Sequence, residues 1–326
     1  MEGMEGKIRE MFLQEPLKSQ GLILIGMGSD KVVFETQGST RKIVKVSSDI
    51  LRWKVENLLA VENNQPIASE GVGNEYQKTL INTEKQEEKD AKEIFGEEHF
   101  LRRGVFRIKV PITKGFLRDF LGEHQKGLVE KLPDTYETEV EMLAETQLLA
   151  EELKDPERFR TKSLNTGVIM GNDFWKTKNI EAALLMARTF VESNFLSQVE
   201  TLWQDKRYRA VLTEIVTKLI VYSKKTGLPA DIFGPNNITV YEKPDGTVDY
   251  HMLDILMPGS YKNWGKKMSE DPDLQMLQHY YVYYYALNSA AKMLGVEENI
   301  KPGDLIYFKE QGIPTGDWPS EIDKVV

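Results

Sequence analysis

Residues 230–255 read ADIFGPNNITVYEKPDGTVDYHMLDI. Ile238 to Tyr241 is a β-branched and aromatic run, Lys243-Pro244-Asp245-Gly246 is a turn, and Val248 to Leu253 is a second apolar run. Together they predict a β-hairpin. Asp231, Asn236 and Asn237 stand before its first strand, and Asp254 closes its second. The ordinary reading of Asp-Ile-Phe-Gly-Pro-Asn-Asn is a turn, since aspartate, glycine, proline and asparagine are all turn formers. Asp254 resists that reading. An acid at the end of an apolar strand, followed by Ile255 and Leu256, is expected to be partly buried and therefore paired or metal-bound.

On the N-terminal side, RAVLTEIVTKLIVYSKK (209–225) is a helix with apolar positions at Val211, Leu212, Ile215, Val216, Leu219 and Ile220. Lys224, Lys225, Gly227 and Pro229 are its stop signals. EAALLMARTFVESNFLSQVETLW (181–203) and, beyond the hairpin, DLQMLQHYYVYYYALNSAAKML (273–294) also read as helical. The first half of the chain is strand-rich. LILI (22–25), KVVFET (31–36) and RKIVKV (41–46) are separated by GMGS and QGST. A polar stretch follows, then a helix over 75–95 with Leu80, Glu84, Glu87, Ala91 and Ile94 on one stripe. VFRIKVPIT (105–113) and TYETEVEML (135–143) are further strands. The expectation is an α+β protein with a strand-rich lobe over 1–144 and a helical lobe over 145–326.

The 326 residues are 40% hydrophobic and 29% charged with a formal net charge of -9. That excludes an overall basic field for nucleic acid or an anionic membrane. Cysteine is absent, so thiol nucleophiles and thiolate metal sites are excluded. His99, His124, His251 and His279 lack metal-ligand spacing. The first residues, MEGMEGKIREMF, lack a signal-peptide core, and no apolar run approaches the ~18 residues that span a bilayer. A cytoplasmic location is expected.

The remaining candidates are weak singly. Gly26-Met27-Gly28-Ser29 lies between two strands, where glycines allow backbone N–H groups to approach a phosphate, or simply form a turn. Lys45 in Ile43-Val44-Lys45-Val46 needs a partner if buried, or sits on an edge in solvent. Glu84 and Glu87 interrupt an apolar stripe or line an exposed face.

Their order carries more than the parts. A glycine loop, a strand lysine, a helix glutamate, a long apolar helix, Asp then Asn, a hairpin and a strand-end Asp follow one another as in protein kinases. Over roughly residues 20–295 the chain resembles the protein-kinase-like superfamily, especially its atypical bacterial and small-molecule-kinase branches. The resemblance implies a bilobal fold with an antiparallel-sheet N-lobe carrying one main helix and a mostly helical C-lobe. It also implies ATP and Mg²⁺ as cofactors. GMGSDKV, with Gly26, Gly28, Ser29 and Val32, then lies over the phosphates, and Lys45 contacts them. Glu87, or Glu84, pairs with Lys45. Asp231 orients the acceptor hydroxyl, while Asp254 and Asn237 (or Asn236) hold magnesium. The implied activity is transfer of the γ-phosphoryl group to a hydroxyl of a small molecule or protein; the alternative is a pseudokinase that binds or scaffolds without turnover. Lys31 stands where the loop's third glycine is expected, and Ile255-Leu256 follows Asp254 in place of Phe-Gly. No Ala-Pro-Glu element is present, which argues against a platform for peptide substrates.

Overall fold

The structure is a computed structural model and describes residues 22–27, 31–36, 42–63, 88–101, 103–121, 126–148, 151–166, 180–234, 237–253 and 274–305. The chain divides into two compact units, residues 1–81 with 101–150 and residues 82–100 with 151–326. The first is built on a sheet and the second mainly on helices, so the protein is of the α+β class.

The sheet unit runs β1 (Leu22–Met27), β2 (Lys31–Thr36), β3 (Lys42–Ser47), helix α1 (Ser48–Glu62) and β4 (Arg103–Thr113). Between α1 and β4 the chain makes helix α2 (88–95), which belongs to the other unit. Helices α3 (Lys114–Leu121) and α4 (Lys126–Val129) and strand β5 (Glu137–Leu148) complete the sheet unit. The strand order is β1-β2-β3-β5-β4, with every neighbouring pair antiparallel.

Alternation sorts the two faces of the sheet. Val32, Phe34, Val44 and Val46 are buried on one face, whereas Lys31, Val33, Lys45 and Ser47, on the other, are half-buried. The apolar face is covered by α1. The residues after β3 read as a polar stretch, yet they form this 15-residue helix. About half of its residues are apolar, and four of them fall on one stripe: Ile50, Leu51, Val55 and Leu59 are buried in the same cluster as the sheet valines. Ser47 caps it, its hydroxyl accepting from the Ile50 N–H at 3.5 Å, and Asp49 complements the positive end of the helix dipole.

The second unit adds α5 (Glu151–Lys154), β6 (Lys162–Leu164), α6 (Ile180–Val191), a π-helical turn Glu192–Leu196, and α7 (Ser197–Trp203). It continues with α8 (Lys206–Thr226), β7 (Ile238–Glu242), β8 (Val248–Met252) and α9 (Leu274–Leu294). Asp205 caps α8 by accepting from the Arg207 N–H at 2.9 Å, and Gly227 ends it at φ 72°, where a Cβ would be strained. Leu212, Ile215, Val216, Leu219 and Ile220 of α8 share one core with Ile238, Val240, Tyr250 and Met252 of the hairpin. Strand β6 joins the hairpin as a third strand against β7.

Residues 88–100 dock on this core. Ala91 and Phe95 are buried in it, and the Lys218 ammonium donates to the Phe95 carbonyl at 2.9 Å. The His99 ring stacks on Tyr250 with centroids 3.7 Å apart, and Phe100 bridges to Met252. The apolar positions Ala91 and Ile94 read from the sequence therefore face the core of the helical unit.

Candidate functional site

One group of candidate residues surrounds Lys45 in the sheet unit. In register, Lys45 stands opposite Val33 on β2 and opposite Glu145 on β5, so the three side chains share the polar face. Lys31, two residues before Val33, is on that face too. Its ammonium lies 3.0 Å from the Glu145 Oε2, with the two side chains 20% and 16% exposed. Gly26 follows an irregularity in the β1–β2 register between Leu24 and Gly26, and a Cβ built on it meets nothing within 4 Å. Val32, implied to sit over a nucleotide, is wholly buried on the opposite, apolar face; Val33 is the valine that shares the Lys45 side. Gly28, Ser29, Glu84 and Glu87 lie outside the described residues.

The second group of candidate residues, around the hairpin, is in the helical unit. Gly227 ends α8, and Leu228, Ala230, Ile232 and Phe233 are then buried, which draws the loop down onto the core. Asp231, between two buried residues, is only half-buried. Its Oδ1 accepts from the Phe233 N–H at 3.0 Å, so the turn-capping role is real. Asn237 does more than turn the chain. Its side-chain Nδ2 donates to the Asp231 carbonyl at 3.0 Å, and its own carbonyl accepts from the Leu253 N–H at 2.8 Å. One buried asparagine thus ties the Asp231 loop to the residue preceding Asp254. Gly234 makes room for it: a Cβ there would lie 2.8 Å from the Asn237 Nδ2. Asn236 and Asp254 themselves lie outside the described residues.

Charged groups of the hairpin are matched on its outer face. His251 on β8 stacks on Tyr241 and places Nε2 3.4 Å from the Glu152 Oε2. Burial pushes the His251 imidazole below its ordinary pKa despite the pull of Glu152. Burial, with the nearby Asp249 and Glu152 carboxylates, raises the Tyr241 phenol.

Lys45 therefore falls in the sheet unit, and Asp231 and Asn237 fall together in the helical unit. Glu145 is the charged neighbour of Lys45 that the sequence reading missed. The alternation Glu-Val-Glu-Met-Leu-Ala-Glu-Thr-Gln continues past residue 143 and would have extended the strand to it. Among the described residues there is no cluster of three or more metal-ligating His, Asp or Glu side chains. Nor is any described helix long and apolar enough to cross a membrane. Comparison with known proteins finds no match among family models, curated proteins or solved structures.

Proposed function

We propose that the chain is an ATP- and Mg²⁺-dependent phosphotransferase of kinase-like type, passing the γ-phosphoryl group to a hydroxyl acceptor. The observation that carries this reading is the double bonding of Asn237, by side chain to the Asp231 carbonyl and by backbone to Leu253. It holds the residues before and after the hairpin in one bonded cluster. With its NH₂ committed to a carbonyl, the Asn237 amide has its oxygen to offer a cation, and oxygen is the donor magnesium takes. The lysine-bearing strand in an antiparallel sheet packed on one long helix, and a hairpin unit rich in helices, agree with the same reading.

In this proposal Asp231 accepts the proton of the acceptor hydroxyl, and Lys45 offsets charge on the phosphates. Asn237 and Asp254 would hold magnesium, which when bound neutralises charge on the transferring group. A second reading, nucleotide binding without turnover, is favoured by the Asp231 carboxylate already accepting from Phe233.

The test pairs nucleotide affinity with turnover in the full chain. Mg·ATP is expected to raise the melting temperature more than ATP alone. Asp254→Asn should weaken Mg·ATP binding. Asp231→Asn should leave it nearly unchanged and slow ATP turnover by ~10²-fold or more. Equal loss of affinity in both variants refutes the assigned roles. Normal Mg·ATP binding with no turnover in the wild type selects the second reading, and no binding at all refutes both.

A further inference from the structure

Two lysines on the β2–β3 part of the polar face, Lys31 and Lys45, share one carboxylate neighbour on β5. Glu145 lies directly opposite Lys45 across β3–β5, and its Oε2 holds the Lys31 ammonium at 3.0 Å. Both partners of that pair are more than three-quarters buried at the side chain, so salt and water screen it less than an exposed pair. Lys31 begins β2 directly after the glycine segment, and Lys45 is two strands' width from the β5 carboxylate's far neighbour, Val105. Lys31, Lys45 and Glu145 thus stand together on this face, and Glu35, two residues beyond Val33 on β2, adds a second carboxylate to it.

We propose that Glu145 sets the anion affinity of this face: it is the counter-ion that a triphosphate must compete with for Lys31, while it also repels the phosphates beside Lys45. This rests on the nucleotide-binding reading above and adds to it a positioning and affinity-setting residue. Two consequences distinguish it from a merely structural ion pair. Removing the carboxylate makes the face more attractive to a triphosphate. Lys31 contributes binding that is masked while Glu145 is ionised.

The experiment is calorimetric titration of the full chain with magnesium-free ATP at several salt concentrations. It compares the wild type, Glu145→Gln, Lys31→Gln and the double variant, each checked for a native melting transition. Losing one negative charge within several ångströms of the phosphates is expected to tighten ATP binding roughly 3- to 10-fold and to steepen its salt dependence. Lys31→Gln should weaken binding, and the gain from Glu145→Gln should shrink in the double variant. A natively folded Glu145→Gln chain that binds ATP no more tightly than the wild type overturns the proposal while leaving nucleotide binding intact. A wild type that binds ATP only with Mg²⁺ overturns this proposal alone, and one that binds ATP neither with nor without Mg²⁺ overturns the underlying reading with it. Where Glu145→Gln does not fold, Lys31→Gln decides, and an unchanged affinity and salt slope in it overturn the proposal.

Discussion

Gly234→Ala probes whether the Asn237 cluster is as tightly built as its geometry indicates. The backbone at Gly234 is not in the left-handed region, so the substitution brings no φ strain and acts only through the new methyl group. That methyl would lie 2.8 Å from Nδ2, 3.0 Å from Oδ1 and 3.1 Å from Cγ of Asn237. Asn237 is 9% exposed and bonded at its side-chain nitrogen and its carbonyl, so it has little freedom to move aside. Displacing it breaks the bond to the Asp231 carbonyl and leaves buried polar groups unpaired, at about 1–3 kcal/mol. For a folding unit of 150–250 residues this is a fall in melting temperature of roughly 2–12 °C. Calorimetry on Gly234→Ala in the wild-type and Asn237→Ala backgrounds gives the coupling. Because Asn237→Ala removes the obstructing group, Gly234→Ala should cost less than about 0.5 kcal/mol there. Equal cost in both backgrounds, or no cost in either, refutes the reasoning.

The stability of the helical unit should fall as pH drops below the ordinary imidazole value. His251 is held below that value by burial, so the folded state keeps it neutral while the unfolded chain takes up a proton near pH 6.5. Its stabilising contribution is thus present above that pH and lost as pH falls through the folded value. Urea denaturation between pH 7.5 and 5.5 should show a shallower loss in His251→Gln, and identical slopes would count against this assignment. A third expectation concerns Tyr283 on α9, whose hydroxyl is paired with the Ser223 Oγ at 2.8 Å in a fully buried site. Burial pushes its phenol up to about 12. Tyr283→Phe should destabilise by about 1–2 kcal/mol in denaturant unfolding, and a neutral effect would mean that the pair adds no net stability.

Local signals account for much of the secondary structure. Helix α8 is legible because its apolar residues recur at helical spacing and Gly227 ends it, and the hairpin is legible from Pro244-Asp245-Gly246 between two β-forming runs. Helix α1 is not, because charged residues (Asp49, Arg52, Lys54, Glu56, Glu62) are interleaved with its apolar ones, and what marks it is the placement of Ile50, Leu51, Val55 and Leu59 on one stripe. Strand β6 is three residues long, too short for alternation to register, and exists because β7 offers it an edge.

The sequence by itself determined which residue types were available to a site: Lys45 in a strand, Asp231 after a helix, and an asparagine before a hairpin. Only the tertiary structure decided what stands beside them. Glu145 reaches Lys45 through a strand pairing that spans 100 residues, and a slip of one residue in that register would send it to the apolar face. Asn237 was the favoured of two adjacent amides, and its bonds to Asp231 and Leu253 form only when a loop and the far strand of the hairpin meet in space. Periodicity is a property of neighbours along the chain, whereas the partners of a buried charge or amide are chosen by packing between segments far apart in it.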